Sequence, residues 1–347
     1  MIFTRRCFIG ITLCLLPWLS VADAQTVFDR TALIEAARKE GKLVFYATIP
    51  EEQVSQLLKQ FNAKYPFIDT GGSFRATSGR LKARLDAEIA SGRILGDVLQ
   101  MGSFGQFLAY AKGGRLDRFE TPEMNAYPDN LKEKGLWTVF RSAPIVMAYN
   151  STKLSDADVP KAWTDMGNPK YAGKLALLDP TSGGQHVHWY VLRQKYGPDF
   201  WKKLAAVKPV TLGGPNQAID GLLTGEYMLA GHTYGYTVKE YQGNGAPVKA
   251  VFPTDGVPML VTPIGVIKDG PNPNAARLFV DWILSKDGQT AIVNTLNDYS
   301  PRADVDPPAG MPTWDKVNKL IPDSWDNLLA STGDFARDWE EMTGKRK

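Results

Sequence analysis

Apolar positions follow two alternating patterns along the first third of this chain. Residues 42–47 and 97–101 are short apolar runs, the length of one buried strand each. Around them, Leu33, Ala36 and Ala37, then Val54, Leu57, Leu58 and Phe61, then Leu81, Leu85 and Ile89 recur at three- and four-residue steps. Those steps make one apolar stripe on each of three amphipathic helices. Gly41 stops the first helix, Pro50 with Glu51 and Glu52 opens the second, and Tyr65-Pro66 ends it. The order helix, β, α, β, α, β predicts a parallel sheet covered by helices. Right-handed crossovers then put the loops after Ala47, Ala76 and Met101 on one edge, the carboxyl ends of the strands, where open α/β sheets bind ligands.

The stretch 74–103 concentrates this logic. A strand end leads into Thr77-Ser78-Gly79 and the helix with Leu81, Leu85 and Ile89, and a further strand ends at Gly102-Ser103. Ser78 suits an N-cap, because its hydroxyl can accept an orphan N–H of the first turn. The remaining N–H groups and the helix dipole make the same turn an anion site.

The pattern then changes hands. Residues 137–150 form an extended run broken by Pro144, predicted to leave one lobe and enter another. There the design repeats: a strand at 173–179, a loop carrying Thr181, Ser182, Gly183 and Gly184, and a helix over 185–196. Further strands are predicted at 227–230 and 248–252, with a loop between them that holds His232, Tyr234 and Tyr236. A return strand is predicted over 257–267, an apolar helix over 275–284, and a last surface helix over 330–342.

The N-terminus lies outside this scheme. Arg5-Arg6, an apolar run from Cys7 to Val21 and the Ala22-Asp23-Ala24 site predict a signal peptide, residues 1–24, which resembles a twin-arginine export signal. Cleavage leaves about 320 residues, enough for two cores. It removes both cysteines, Cys7 and Cys14, and with them disulfides, thiolate metal sites and cysteine nucleophiles. It also removes two arginines and one aspartate, so the formal charge goes from +3 to +2. A balance so near neutral gives no nucleic-acid or membrane-surface signal. A soluble exported chain is the expectation.

Enzyme chemistry finds little support. The segment Met101-Gly102-Ser103-Phe104-Gly105 lacks the first glycine of a nucleophile elbow, and no triad order is visible. His186 and His188 point about 200° apart on a helix, His232 is distant in sequence, and no metal site or cofactor is predicted.

Several motifs in this order resemble the periplasmic solute-binding proteins of ABC importers, type II fold, in the branch that contains the ferric-ion-binding proteins. They are LVFYAT at 43–48, Ser78-Gly79-Arg80-Leu81 with Ala87-Glu88 and Gly96-Asp97-Val98, Met147-Ala148-Tyr149-Asn150, NPKYAGK at 168–174, and 271–289 ending LFVDWILSKDGQ. The resemblance implies two α/β lobes, each a parallel-rich sheet flanked by helices, joined by two crossing hinge strands with a ligand cleft between. Residues 25–140 with 258–347 would form lobe 1, and residues 141–257 lobe 2. It also implies a monomer that performs no chemistry and hands a small-molecule solute to a membrane permease. Arg141, on a crossing strand, would be exposed to the cleft and clamp an anion bidentately. Thr48, Thr77, Ser78, Gly79, Gly102 and Ser103 would line lobe 1. Thr181 to Gly184, Tyr234 and Tyr236 would line lobe 2, and Asp255 would receive a hydroxyl or ammonium group.

One departure guides the expected solute. Ferric-ion binders of this branch carry adjacent tyrosines that, counted from Gly225-Glu226, fall here on Gly235 and Tyr236. One phenolate matches, and hard Fe(III) wants several anionic oxygens. A small organic anion (carboxylate, phosphonate or phosphate ester) is therefore the expected solute. Ferric iron is the alternative, and a secreted hydrolase a further one.

Overall fold

The computed structural model describes residues 28–180 and 184–343. The signal-peptide expectation, both cysteines, and Thr181, Ser182 and Gly183 lie outside the described residues. In chain order the elements are α1 (Arg30–Glu40), β1 (Phe45–Ala47), α2 (Glu51–Lys64), β2 (Phe74–Arg75), α3 (Ser78–Ser91), β3 (Val98–Gln100) and α4 (Phe104–Lys112). There follow β4 (Lys132–Glu133), β5 (Trp137–Asn150), β6 (Leu175–Leu178), α5 (Gln185–Tyr196), α6 (Pro198–Ala206), β7 (Val210–Leu212) and α7 (Pro215–Thr224). The rest are β8 (Leu229–Tyr234), α8 (Gly235–Gly243), β9 (Val248–Val251), β10 (Val257–Val266), α9 (Pro273–Leu284), α10 (Lys286–Leu296), β11 (Lys319–Leu320), α11 (Trp325–Ala330) and α12 (Thr332–Met342).

The β-α-β-α-β order produces the parallel arrangement that the pattern predicts. β1 pairs in parallel with β2 (Tyr46 opposite Phe74) and with β3 (Phe45 opposite Val98). All three residues of β1 and of β3 are buried, as strands covered on both faces must be. One face carries Phe45, Phe61, Phe279 and Trp282, and the other Tyr46, Leu85, Phe107 and Trp137. In the second half, β6 pairs in parallel with β7 and β8.

One sheet runs through the whole molecule in the order β2-β1-β3-β10-β5-β8-β6-β7. Its centre is the antiparallel pair β5 and β10, with Arg141 opposite Thr262 and Pro144 opposite Met259. The first half of β5 pairs with β10, and the second half with β8 and β9. All 14 residues of β5 are buried. These are the two predicted crossings, and the lobes lie on either side of them.

Two expectations change. His232 and Tyr234 stand on β8 and Tyr236 in the first turn of α8, so the predicted loop there is a strand running straight into a helix. The C-terminal segment does not belong to lobe 1 alone. Leu328, Phe335 and Trp339 are buried in the lobe 2 core with Trp189 and Trp201. Trp325 stacks on Phe104 of lobe 1 at 4.1 Å between ring centres, and Lys112 pairs with Asp326. The last 30 or so residues span both lobes because their indoles and phenyl ring find apolar partners on each.

Candidate functional site

Three loops meet at the carboxyl edge of lobe 1. Thr48 Oγ1 accepts the N–H of Gly102 at 2.8 Å, and Gln100 Oε1 accepts the Thr48 N–H at 2.8 Å. Ser78 Oγ accepts the Ser103 N–H at 3.3 Å. The expected cap changes: Thr77 is the N-cap of α3, and Ser78 is its first helical residue, its hydroxyl spent on the neighbouring loop. Thr77 and Gly79 are exposed, and a methyl group on Gly79 would meet nothing within 4 Å, so the first turn of α3 is open to solvent.

Register carries this edge to the hinge. Ile264 of β10 lies opposite Gln100, the last residue of β3, and Thr262 lies two residues further along β10. Thr262 is in turn opposite Arg141 on β5.

Arg141 is buried and ion-paired, contrary to the exposed position expected from the sequence. Its Nη1 lies 3.0 Å from Asp298 Oδ2, and its Nε donates to Thr262 Oγ1 at 3.4 Å. Its guanidinium carbon also stands 5.8 Å from the centre of the Tyr236 ring. Burial explains the pairing, since an isolated guanidinium could not leave water without a counter-charge. Asp298 is delivered by local geometry that sequence reading passed over. Asn297 closes α10 in the left-handed conformation, φ 54°, and the next residue turns back toward β5. Tyr299 then exchanges two backbone hydrogen bonds with Ser142, of 2.9 and 2.8 Å. Burial pushes the Asp298 carboxyl up to about 6, and Arg141 pulls it back only in part.

Lobe 2 contributes the first turns of α5 and α8. Gly184, the N-cap of α5, is covered by Leu260 of β10, and the Tyr234 hydroxyl lies beside it. Tyr234 and Tyr236 stack in parallel, 5.3 Å apart at 5°. Burial raises both phenols, Tyr236 to about 12. Asp255 is not part of this group. It accepts from the Trp163 N–H and the Tyr196 hydroxyl at the C-terminal end of α5, about 18 Å of helix from Gly184.

The histidines regroup as well. His188 and His232, fully buried, come together with their Nδ1 atoms 2.7 Å apart, while His186 faces Ser331. Among the described residues no group of three or more His, Cys, Asp or Glu could hold a metal ion. A concavity of about 890 Å³ lies on lobe 1 between Phe28, Phe119 and Arg277, away from the hinge. Arg277 and Lys134 on its rim are already paired, with Asp117 and Glu120.

The model of the bacterial extracellular solute-binding protein family matches residues 105–329, more than half of the sequence. A protein of Haemophilus influenzae is 26% identical over 297 residues, covering 78% of this chain and 84% of that one. A probable ABC transporter periplasmic-binding protein of Sinorhizobium fredii is 22% identical over 207 residues, 56% of this chain and 58% of its own length. Iron-bound HitA from Pseudomonas aeruginosa superposes with a TM-score of 0.73 at 20% identity, covering 87% of this chain and 99% of that one. AfuA from Actinobacillus pleuropneumoniae, with fructose-6-phosphate bound, gives 0.73 at 22%, with 88% and 99% covered. The fold is that of the two-lobe periplasmic binding proteins, and the chain belongs to the bacterial extracellular solute-binding protein family.

Proposed function

We propose that this solute-binding protein is a periplasmic receptor that holds a small organic anion between its lobes and delivers it to the membrane permease of an ABC importer. The observation that carries this reading is Arg141. It sits on the crossing strand, opposite Thr262 of the other crossing, and meets Tyr236 in the first turn of α8 from lobe 2. A guanidinium presents five N–H donors, and among the described residues its polar partners are one carboxylate and one hydroxyl. The open first turn of α3 and the first turns of α5 and α8 add N–H groups and partial positive charge. A solute that touches both lobes only when they close shifts the open–closed equilibrium, and that shift is the signal a permease reads. Relatives in the family and the fold bear on the importer: one is a probable ABC transporter periplasmic-binding protein.

Ferric iron remains the second reading because iron-bound HitA shares the fold and two tyrosines stand together here. Burial works against it by holding both phenols protonated. The test is a thermal-shift panel of carboxylates, phosphonates, phosphate esters and ferric citrate. An organic anion should raise the melting temperature, and Arg141→Ala should weaken it by well over tenfold. Stabilisation by ferric citrate alone, with a visible iron–phenolate band, would overturn the proposal. Turnover of an ester would support the hydrolase alternative instead.

A further inference from the structure

The least satisfied group at the hinge is a carboxylate. Asp298 has no exposed surface, and neither Oδ1 nor Oδ2 accepts a hydrogen bond from the described residues. Its one partner among the described residues is Arg141, at ion-pair distance and without hydrogen-bond alignment. Buried carboxylates are ordinarily met by several donors, because each oxygen loses its hydration on burial. The groups that face Asp298 are Arg141 and, further off, the two stacked tyrosines.

We infer that Asp298 is a specificity-determining residue whose unmatched oxygens select a solute carrying its own hydrogen-bond donor close to its anionic group. This inference rests on the anion-receptor reading above and narrows it. An oxyanion held by the remaining N–H groups of Arg141 lies one guanidinium away from Asp298. A hydroxyl or ammonium one or two carbons from the charge spans that gap. A bare anion instead brings a second negative charge up to Asp298 and leaves its oxygens unmatched. The cost falls on the complex, so discrimination is strong: a site built to receive a solute O–H or N–H rejects the analogue without it. The pair also balances its own charge, Arg141 against Asp298, so the site favours a dipolar or hydroxylated anion over a simple one.

The experiment is titration calorimetry of the mature protein with two matched sets. One is ethyl phosphate, 2-hydroxyethyl phosphate and O-phosphoethanolamine; the other is propionate, lactate and alanine. In at least one set the hydroxyl or the amino member should bind roughly 100-fold more tightly than its donor-free partner. Which of the two wins identifies the donor. Asp298→Asn, nearly the same shape, should reduce that ratio below tenfold, and a melting curve confirms that the variant folds. Donor-free members binding within tenfold of their partners would overturn the inference and leave the anion receptor standing. So would a ratio unchanged in Asp298→Asn. No binding by any member would remove the anion reading, and the inference with it.

Discussion

Lowering the pH from 7 to 5 tests the buried polar groups together, because they pull in opposite directions. His188 and His232 are fully buried and neutral, held well below the ordinary value of 6.5 by burial, His232 to about 3. The unfolded chain therefore takes up protons below pH 6.5 that the folded chain refuses. Stability is fully present above 6.5 and is lost as the pH falls, by up to about 1.4 kcal/mol per unit for each imidazole. Between pH 7 and 5 the pair removes about 4 kcal/mol. Asp298 has the other sign. Its folded value of about 6 lies above the ordinary 3.8, so the folded chain is protonated first. It returns about 1.3 kcal/mol over the same interval, leaving a net loss of about 2.5 kcal/mol. His186, partly exposed and lowered to about 4, adds to the loss. The ion-paired Asp86 and Asp287 are lowered below the ordinary carboxylate value and stay ionised throughout. Urea unfolding at the two pH values measures the difference. Asp298→Asn should enlarge the loss by about 1.3 kcal/mol, because the offset is gone. A wild-type midpoint that does not fall by pH 5 would refute the buried neutral pair. An Asp298→Asn variant with the wild-type pH slope would refute the raised carboxyl.

Arg141→Met should destabilise the protein by about 3–5 kcal/mol in urea at pH 7, since it strands Asp298 without a counter-charge. Combining it with Asp298→Asn should recover most of that loss. Leu328→Ala removes a side chain buried in the lobe 2 core and should cost about 2–5 kcal/mol, which a merely decorative C-terminal helix would not show. Gly184→Ala should lower the melting temperature, because a methyl group there overlaps Leu260, and Leu260→Ala should relieve it. Gly79→Ala, with open space around it, should leave the melting temperature unchanged.

What the sequence disclosed was local in origin. The stripes through Leu57, Phe61, Leu81 and Leu85 and the short apolar runs specify helices and strands by their own period, and all are found where expected. The parallel order followed from them through the handedness of crossovers. Arg141 was placed on a crossing strand for the same reason, from the extended run around Pro144. Its burial was not legible, because the partner that permits it is more than 150 residues away and announces itself only as an Asn-Asp dipeptide after a helix. The two histidines failed in the same way. A helix wheel separates His186 from His188 correctly, yet says nothing of His232 on β8, which supplies the partner for His188.

The C-terminal segment shows why lobe boundaries are harder to read than elements. Residues 319–342 carry helix caps and an amphipathic stripe, with Ser324 capping α11, and so form helices wherever they dock. Docking is decided by which apolar surfaces remain uncovered after the two sheets are built: Phe104 and Gly105 on lobe 1, Trp189 and Trp201 on lobe 2. These surfaces come from α4, α5 and α6, on both sides of the hinge, so one segment covers both. Its attachment to lobe 1 rests on the Trp325–Phe104 stack, Leu329 against Gly105 and an exposed Lys112–Asp326 pair, whose contribution is small. Its attachment to lobe 2 buries Leu328, Phe335 and Trp339 completely or nearly so. The attachment to lobe 2 is therefore the more deeply buried of the two.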